Sequence, residues 1–121
     1  MRIPPYNLEA EMSTLGSLMV HPHAINRVID VVKPDDFYHE GHRLICEAIY
    51  DLFEKNSPID LLSVSDRLKE KNALEKSGNH SYLAQLVNSV PSATNIIYYA
   101  EIVHKKKVLN NNYFIYFLSR K

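Results

Sequence analysis

At 121 residues, with 45% hydrophobic and 23% charged side chains, the chain can core one domain but cannot hold a core plus a nucleotide-driven motor. Fourteen basic residues balance fourteen acidic ones, which argues against a dedicated nucleic-acid-binding domain, because such domains carry a strong basic excess. No apolar run approaches the roughly 18 residues of a membrane span. The start lacks a secretory signal and the lone Cys46 excludes an internal disulfide, so the expected location is cytoplasmic.

The chain opens on Pro4-Pro5-Tyr6-Asn7, an entry punctuated by residues that cannot continue a helix from upstream. Asn7 is a good N-cap, and Glu9 and Glu11 sit where the helix dipole favours carboxylates. Leu8, Met12, Leu15 and Met19 recur at helical spacing and predict a first helix with one apolar stripe. Gly16 lies inside that stripe, where glycine costs about 1 kcal/mol relative to alanine. A cost of that size points to another segment packed closely against Gly16.

His21-Pro22 breaks the chain, and a short amphipathic helix follows with Ile25, Val28, Ile29 and Val32. Lys33-Pro34-Asp35-Asp36 ends it, and Phe37-Tyr38 reads as an aromatic pair that plugs the core. Leu44, Ile45, Ala48, Ile49, Leu52 and Phe53 mark a wide apolar face on a third helix over 40–55. Asn56-Ser57-Pro58 closes it. Asp60 caps a fourth helix carrying Leu61, Leu62, Val64 and Leu68, and Gly78-Asn79 turns into a fifth with Tyr82, Leu83, Leu86 and Val87.

The last segment differs. Pro91-Ser92 opens a helix over 93–109, with Ser92 as its cap. Ile96, Tyr99, Ala100 and Val103 fall on one side, and Tyr98, Ile102 and Leu109 on a second side roughly 130° away. One apolar face docks a helix on its own head, so two faces imply burial on two sides. The run Tyr113-Phe114-Ile115-Tyr116-Phe117-Leu118 is too apolar to leave in water. A helical hairpin turning at Asn110-Asn111-Asn112 is the simplest arrangement, with self-association burying the remainder through Tyr98, Ile102, Leu109, Tyr113, Phe114 and Phe117. The expected fold is all-α: a compact head of about five helices over residues 1–91 and a hairpin assembly element over 92–121, within one structural domain.

Chemistry is marked mostly by absences. The three glycines, Gly16, Gly41 and Gly78, are isolated, whereas a phosphate-binding loop needs several close together followed by lysine. Nucleotide hydrolysis by this chain is therefore not expected, and no cofactor is. His39, His42 and Cys46 form the best metal candidate, since spacings of three and four put them on one helix side. One cysteine with scattered histidines falls short of structural zinc patterns, so the reading taken is no metal, a buried Cys46 and histidines along a polar edge. Asp35-Asp36 and Asp60 read as turn and cap residues. Five bases and no acid follow His104, namely Lys105, Lys106, Lys107, Arg120 and Lys121, which leaves the body with nine bases against fourteen acids. The three lysines cannot share one face and read as a solvated helix end favoured by the dipole.

The pieces together resemble the start of bacterial replicative DNA helicases of the DnaB family. The carriers are Pro5-x-Asn7-x-Glu9-Ala10-Glu11 with Leu15-Gly16-Ser17-Leu18, then Asp36-Phe37-Tyr38 with His42, Ile45, Ala48 and Ile49. Pro58-Ile59-Asp60 with Val64 and Leu68 follows, then Tyr82-Leu83 and Leu86, Pro91 and Asn95, and Tyr99-Ala100-Glu101-Ile102-Val103. The resemblance spans residues 5–103 in order. It implies an N-terminal domain whose hairpins pair into dimers, with three dimers forming a collar on a hexameric ring that recruits primase and the helicase loader. ATP, Mg and strand separation belong to a RecA-like domain of the resembled parent, and DNA is met only through the assembled ring. On this reading Gly16 is a packing position, and His42 and Cys46 face the core. The resemblance departs after Val103, where family members carry a longer, more charged second arm and the present chain has the asparagines, an aromatic run and then its end. The rival reading is a free-standing helical interaction module, such as a phage-encoded modulator of a helicase.

Overall fold

The computed structural model describes residues 4–90 and 95–119, with the side chains of those residues other than 113–117. Among the described residues the chain is all-helical: α1 (Leu8–Val20), α2 (Ile25–Val28), α3 (Glu40–Glu54), α4 (Leu61–Glu70), α5 (Asn79–Asn88) and α6 (Ile96–Ser119). Short 3-10 turns at Pro34–Asp36 and Glu75–Ser77 link α2 to α3 and α4 to α5.

The first helix is the hub. Asn7 Oδ1 accepts from Ala10 N at 3.0 Å, so the expected cap forms. The helix then passes between α5, α6 and α3, and its burial is wider than one stripe. Leu15, Leu18 and Met19 are buried, but so are Glu11, Thr14 and Ser17, while Leu8 at the entry is exposed. A helix enclosed on three sides cannot keep a single apolar stripe. Thr14 settles its hydroxyl by donating to Ala10 O at 2.7 Å.

A Cβ on Gly16 would overlap the Leu86 carbonyl oxygen and stand 2.7 Å from Val90 Cγ2. Absence of a side chain is thus what lets α5 lie on α1. Gly78, at φ +96°, opens α5 in a left-handed conformation that other residues rarely adopt, and Tyr82 folds back over it.

On the far side, α3 buries Ile45, Cys46, Ala48, Ile49 and Leu52, and Tyr50 donates its hydroxyl to Val32 O at 2.6 Å. Phe37 plugs the core as expected, whereas its neighbour Tyr38 is 50% exposed; successive residues of an extended connector face opposite ways. Asp36 caps its turn by accepting from Lys33 N at 2.9 Å. Asp60 and Ser63 form a reciprocal capping box at the start of α4, with bonds of 2.8 and 2.9 Å. Arg67 of α4 and Lys71 at its C-cap reach across to Asp51 on α3.

The last helix departs from expectation. Its Ser92 cap lies outside the described residues, and Asn95 Oδ1 instead accepts from Tyr98 N at 3.2 Å. No turn occurs at the asparagines: α6 runs unbroken through Asn110, Asn111 and Asn112 for 24 residues. Asparagine costs a helix only about 0.5–0.7 kcal/mol per residue relative to alanine, and no glycine or proline is present to force a break. Asn110 also donates its side chain to Pro5 O at 2.6 Å, and Lys106 Nζ donates to Pro4 O at 3.2 Å. The opening arm thereby lies along the middle of α6. Lys105, Lys106 and Lys107 accordingly sit mid-helix rather than at a helix end.

Candidate functional site

Two features stand out: a strip along α6 and a buried polar cluster between α1, α3 and α5. Ile96, Ala100 and Val103 are buried and seat α6 on the head, with Tyr99 and Ile102 half-buried beside them. Around the helix lie Ile97, Tyr98, Val108 and Leu109, all exposed, Tyr98 at 58% and Leu109 at 53%. Leu118 is exposed on the extension past the head. Of the residues expected to face a partner, Tyr98 and Leu109 are therefore in solvent and Ile102 borders the core. The backbone of Tyr113, Phe114 and Phe117 belongs to α6, and their side chains lie outside the described residues. The two apolar pairs sit near the two ends of one face of α6, with the exposed Glu101 and Lys105 between them.

The polar cluster centres on Glu11, which is 2% exposed. Its Oε1 meets His42 Nδ1 at 2.6 Å and His39 Nδ1 at 3.0 Å, and its Oε2 accepts from Tyr38 N at 2.7 Å. The other ring nitrogen of His42 meets the Tyr82 hydroxyl at 2.6 Å. Tyr6 stacks on Tyr38, and its ring stands at a steep angle to that of His39 with the centroids 4.6 Å apart. Burial pushes the Glu11 carboxyl up, but the bonds from His42, Tyr38 and His39 outweigh it and hold the group below the usual carboxylate range. Burial, with the Glu11 charge second, raises the Tyr82 phenol.

The structure thus joins His39 to His42 through Glu11 and leaves Cys46 apart. Cys46 lies one turn further along α3, fully buried, with Tyr50 as its hydrogen-bonding neighbour. Burial drives its thiol far above the ordinary value, so it stays protonated. Spacing along the sequence does not mark Glu11 or Tyr82 as functional residues, although one signal is there. Glu11 is three residues past Leu8 and four before Leu15, so it falls on the apolar stripe and must find partners indoors.

A family model described as the DnaB-like helicase N terminal domain matches residues 3–105. The chain belongs to that family. As a DnaB-like N-terminal domain it is 43% identical over 108 residues to the replicative DNA helicase DnaC of Bacillus subtilis, covering 89% of this chain and 24% of that protein. It is 39% identical over 109 residues to the replicative DNA helicase DnaB of Pasteurella multocida, covering 90% of this chain and 23% of that one. The DnaB-like domain therefore spans about a quarter of the length of these relatives. In three dimensions it superposes on the crystal structure of the N-terminal domain of DnaB helicase from Mycobacterium tuberculosis with a TM-score of 0.84 at 37% identity, covering 88% of this chain and 74% of that one. Among the described residues no helix is long and apolar enough to cross a membrane.

Proposed function

We propose that this DnaB-like domain is the assembly element of a replicative DNA helicase. A second copy covers the α6 strip, paired domains build a collar on a hexameric ring, and the outer surface of the collar docks primase and the helicase loader. The domain itself performs no catalysis, works in the cytoplasm and meets DNA only through the ring. ATP and Mg serve a motor domain of the kind the resembled parent carries.

The observation that supports this reading most is the exposure of Tyr98 and Leu109 on a helix whose other side packs on α1, α2 and the turn at Pro34–Asp36. Burying a large apolar side chain contributes about 1.5–3 kcal/mol, so a pair of such anchors, doubled by two-fold symmetry, outweighs much of the cost of association. Sedimentation equilibrium at micromolar concentration tests the pairing. A dimer converted to monomer by Tyr98→Lys with Leu109→Glu is the expected result, and a strict monomer for the unaltered chain overturns it. Co-sedimentation with the primase of the same cell tests the docking, with a shared boundary expected.

A further inference from the structure

We infer that Glu11, His39 and His42 form a binding site for a divalent transition cation of the zinc type. The three side chains come from the first turn of α1 and from the start of α3, and their ligand atoms all lie within 4.8 Å of one another. Two imidazoles and one carboxylate are a recurrent donor set for such an ion, leaving a fourth position for water. Tetrahedral coordination at bond lengths near 2.0–2.2 Å sets ligand atoms about 3.3–3.6 Å apart. The 3.0 Å between Glu11 Oε1 and His39 Nδ1 is within a few tenths of that span. The 2.6 Å between Oε1 and His42 Nδ1 has to open by about 0.7–1.0 Å to reach it, a shift within reach of the His42 side chain.

The surroundings fit an ion as well as the ligands do. Without one, the neutral tautomer that donates from Nδ1 to the Glu11 carboxylate leaves Nε2 to accept from the Tyr82 hydroxyl, 2.6 Å from each partner. With one, the Nδ1 lone pair is spent on the metal and the proton resides on Nε2, which then donates to the same hydroxyl. A phenol both donates and accepts, so Tyr82 satisfies either tautomer and orients the ring throughout. Glu11 Oε2 is held by the Tyr38 backbone N–H, which keeps the second carboxylate oxygen occupied. His39, at 35% exposed, provides the entry from solvent, while His42 is 3% exposed and gives the ion a dry inner wall. Cys46 takes no part, which separates this site from the His39, His42 and Cys46 grouping that helical spacing alone suggests.

Titration of the full chain with Co(II), followed by its visible absorption, tests the site, alongside equilibrium dialysis against Zn(II). The expected result is about one ion per chain and a low-symmetry cobalt band in the visible. His39→Ala, at the rim where folding is least at risk, is expected to weaken binding at least about tenfold, and Tyr82→Phe by about tenfold or more through loss of the outer partner. His23→Ala, remote from the cluster, is expected to leave binding unchanged. Absence of uptake at about a hundred times the protein concentration overturns the inference. Uptake that survives His39→Ala, or that falls with His23→Ala, assigns the ion to surface histidines and overturns it equally.

Discussion

At the scale of single residues, two positions have consequences of opposite sign from what their chemistry alone suggests. Replacing a mid-helix glycine with alanine normally gains about 1 kcal/mol. At Gly16 the added methyl meets the Leu86 carbonyl, which is backbone and cannot step aside as a flexible side chain would. Overpacking of that kind costs about 1–3 kcal/mol and wins, so Gly16→Ala is expected to lower the urea midpoint with the slope unchanged. Cys46 is a thiol by type but inert by place, because burial keeps it protonated. A disulfide reagent such as Ellman's is expected to label it at the rate of unfolding in native buffer and at once in denaturant. The Gly16 contact was legible in the sequence because a glycine on an apolar stripe weakens its helix unless a close neighbour requires the space. The role of Glu11 was harder to see, because a first-turn glutamate already has a sufficient reason to be there in the helix dipole. Only the fold shows that both histidines converge on it.

At the scale of elements, the link between α3 and α4 and the length of α6 each lead to a measurement. Asp51 on α3 is bonded to Lys71, at the C-cap of α4, at 2.9 Å and to Arg67 of α4 at 3.1 Å. Partial burial pushes its carboxyl up, but the hydrogen bonds from Lys71 and Arg67 and their charges prevail and hold it below the ordinary 3.8. A group depressed in the folded state stabilises above its unfolded pKa and loses that stabilisation as pH falls through the folded value. Asp51→Asn is therefore expected to cost about 1 kcal/mol at neutral pH, with the gap to the unaltered chain closing below about pH 4. Helix α6 gives the second test. Asn111 and Asn112 are exposed and helical, so replacing both with alanine is expected to raise helical ellipticity and add about 1 kcal/mol. A turn at the same place would respond in the opposite direction. Three asparagines in a row look like a turn because each favours one locally. The bond from Asn110 to Pro5, 105 positions away, is invisible to any local pattern.

At the scale of the whole molecule, α6 faces two ways. Ile96, Ala100 and Val103 join the same core as Leu15, Ile45, Leu68 and Leu86, whereas Ile97, Tyr98, Val108 and Leu109 are exposed. Mass action then couples stability to concentration, since anything that binds only the folded chain stabilises it. The thermal midpoint is expected to rise with protein concentration in the unaltered chain, and to be concentration-independent when Tyr98 and Leu109 carry charges. Differential scanning calorimetry over a hundredfold dilution reads this directly. The outward placing of Tyr98 and Leu109 against the buried Ile96, Ala100 and Val103 could be read from 3.6-residue periodicity, whereas Ile102, expected beside them, packs against the core.

The opening arm lies against α6 through the Pro4 and Pro5 carbonyls, at the positions of Lys106 and Asn110. That places a natural address for a reporter group. A cysteine substituted for Pro4 takes a fluorophore while the enclosed Cys46 stays dark, and the dye then rides beside α6 at the level of Lys106. Self-quenching between two such dyes turns a question about quaternary structure into a change in brightness.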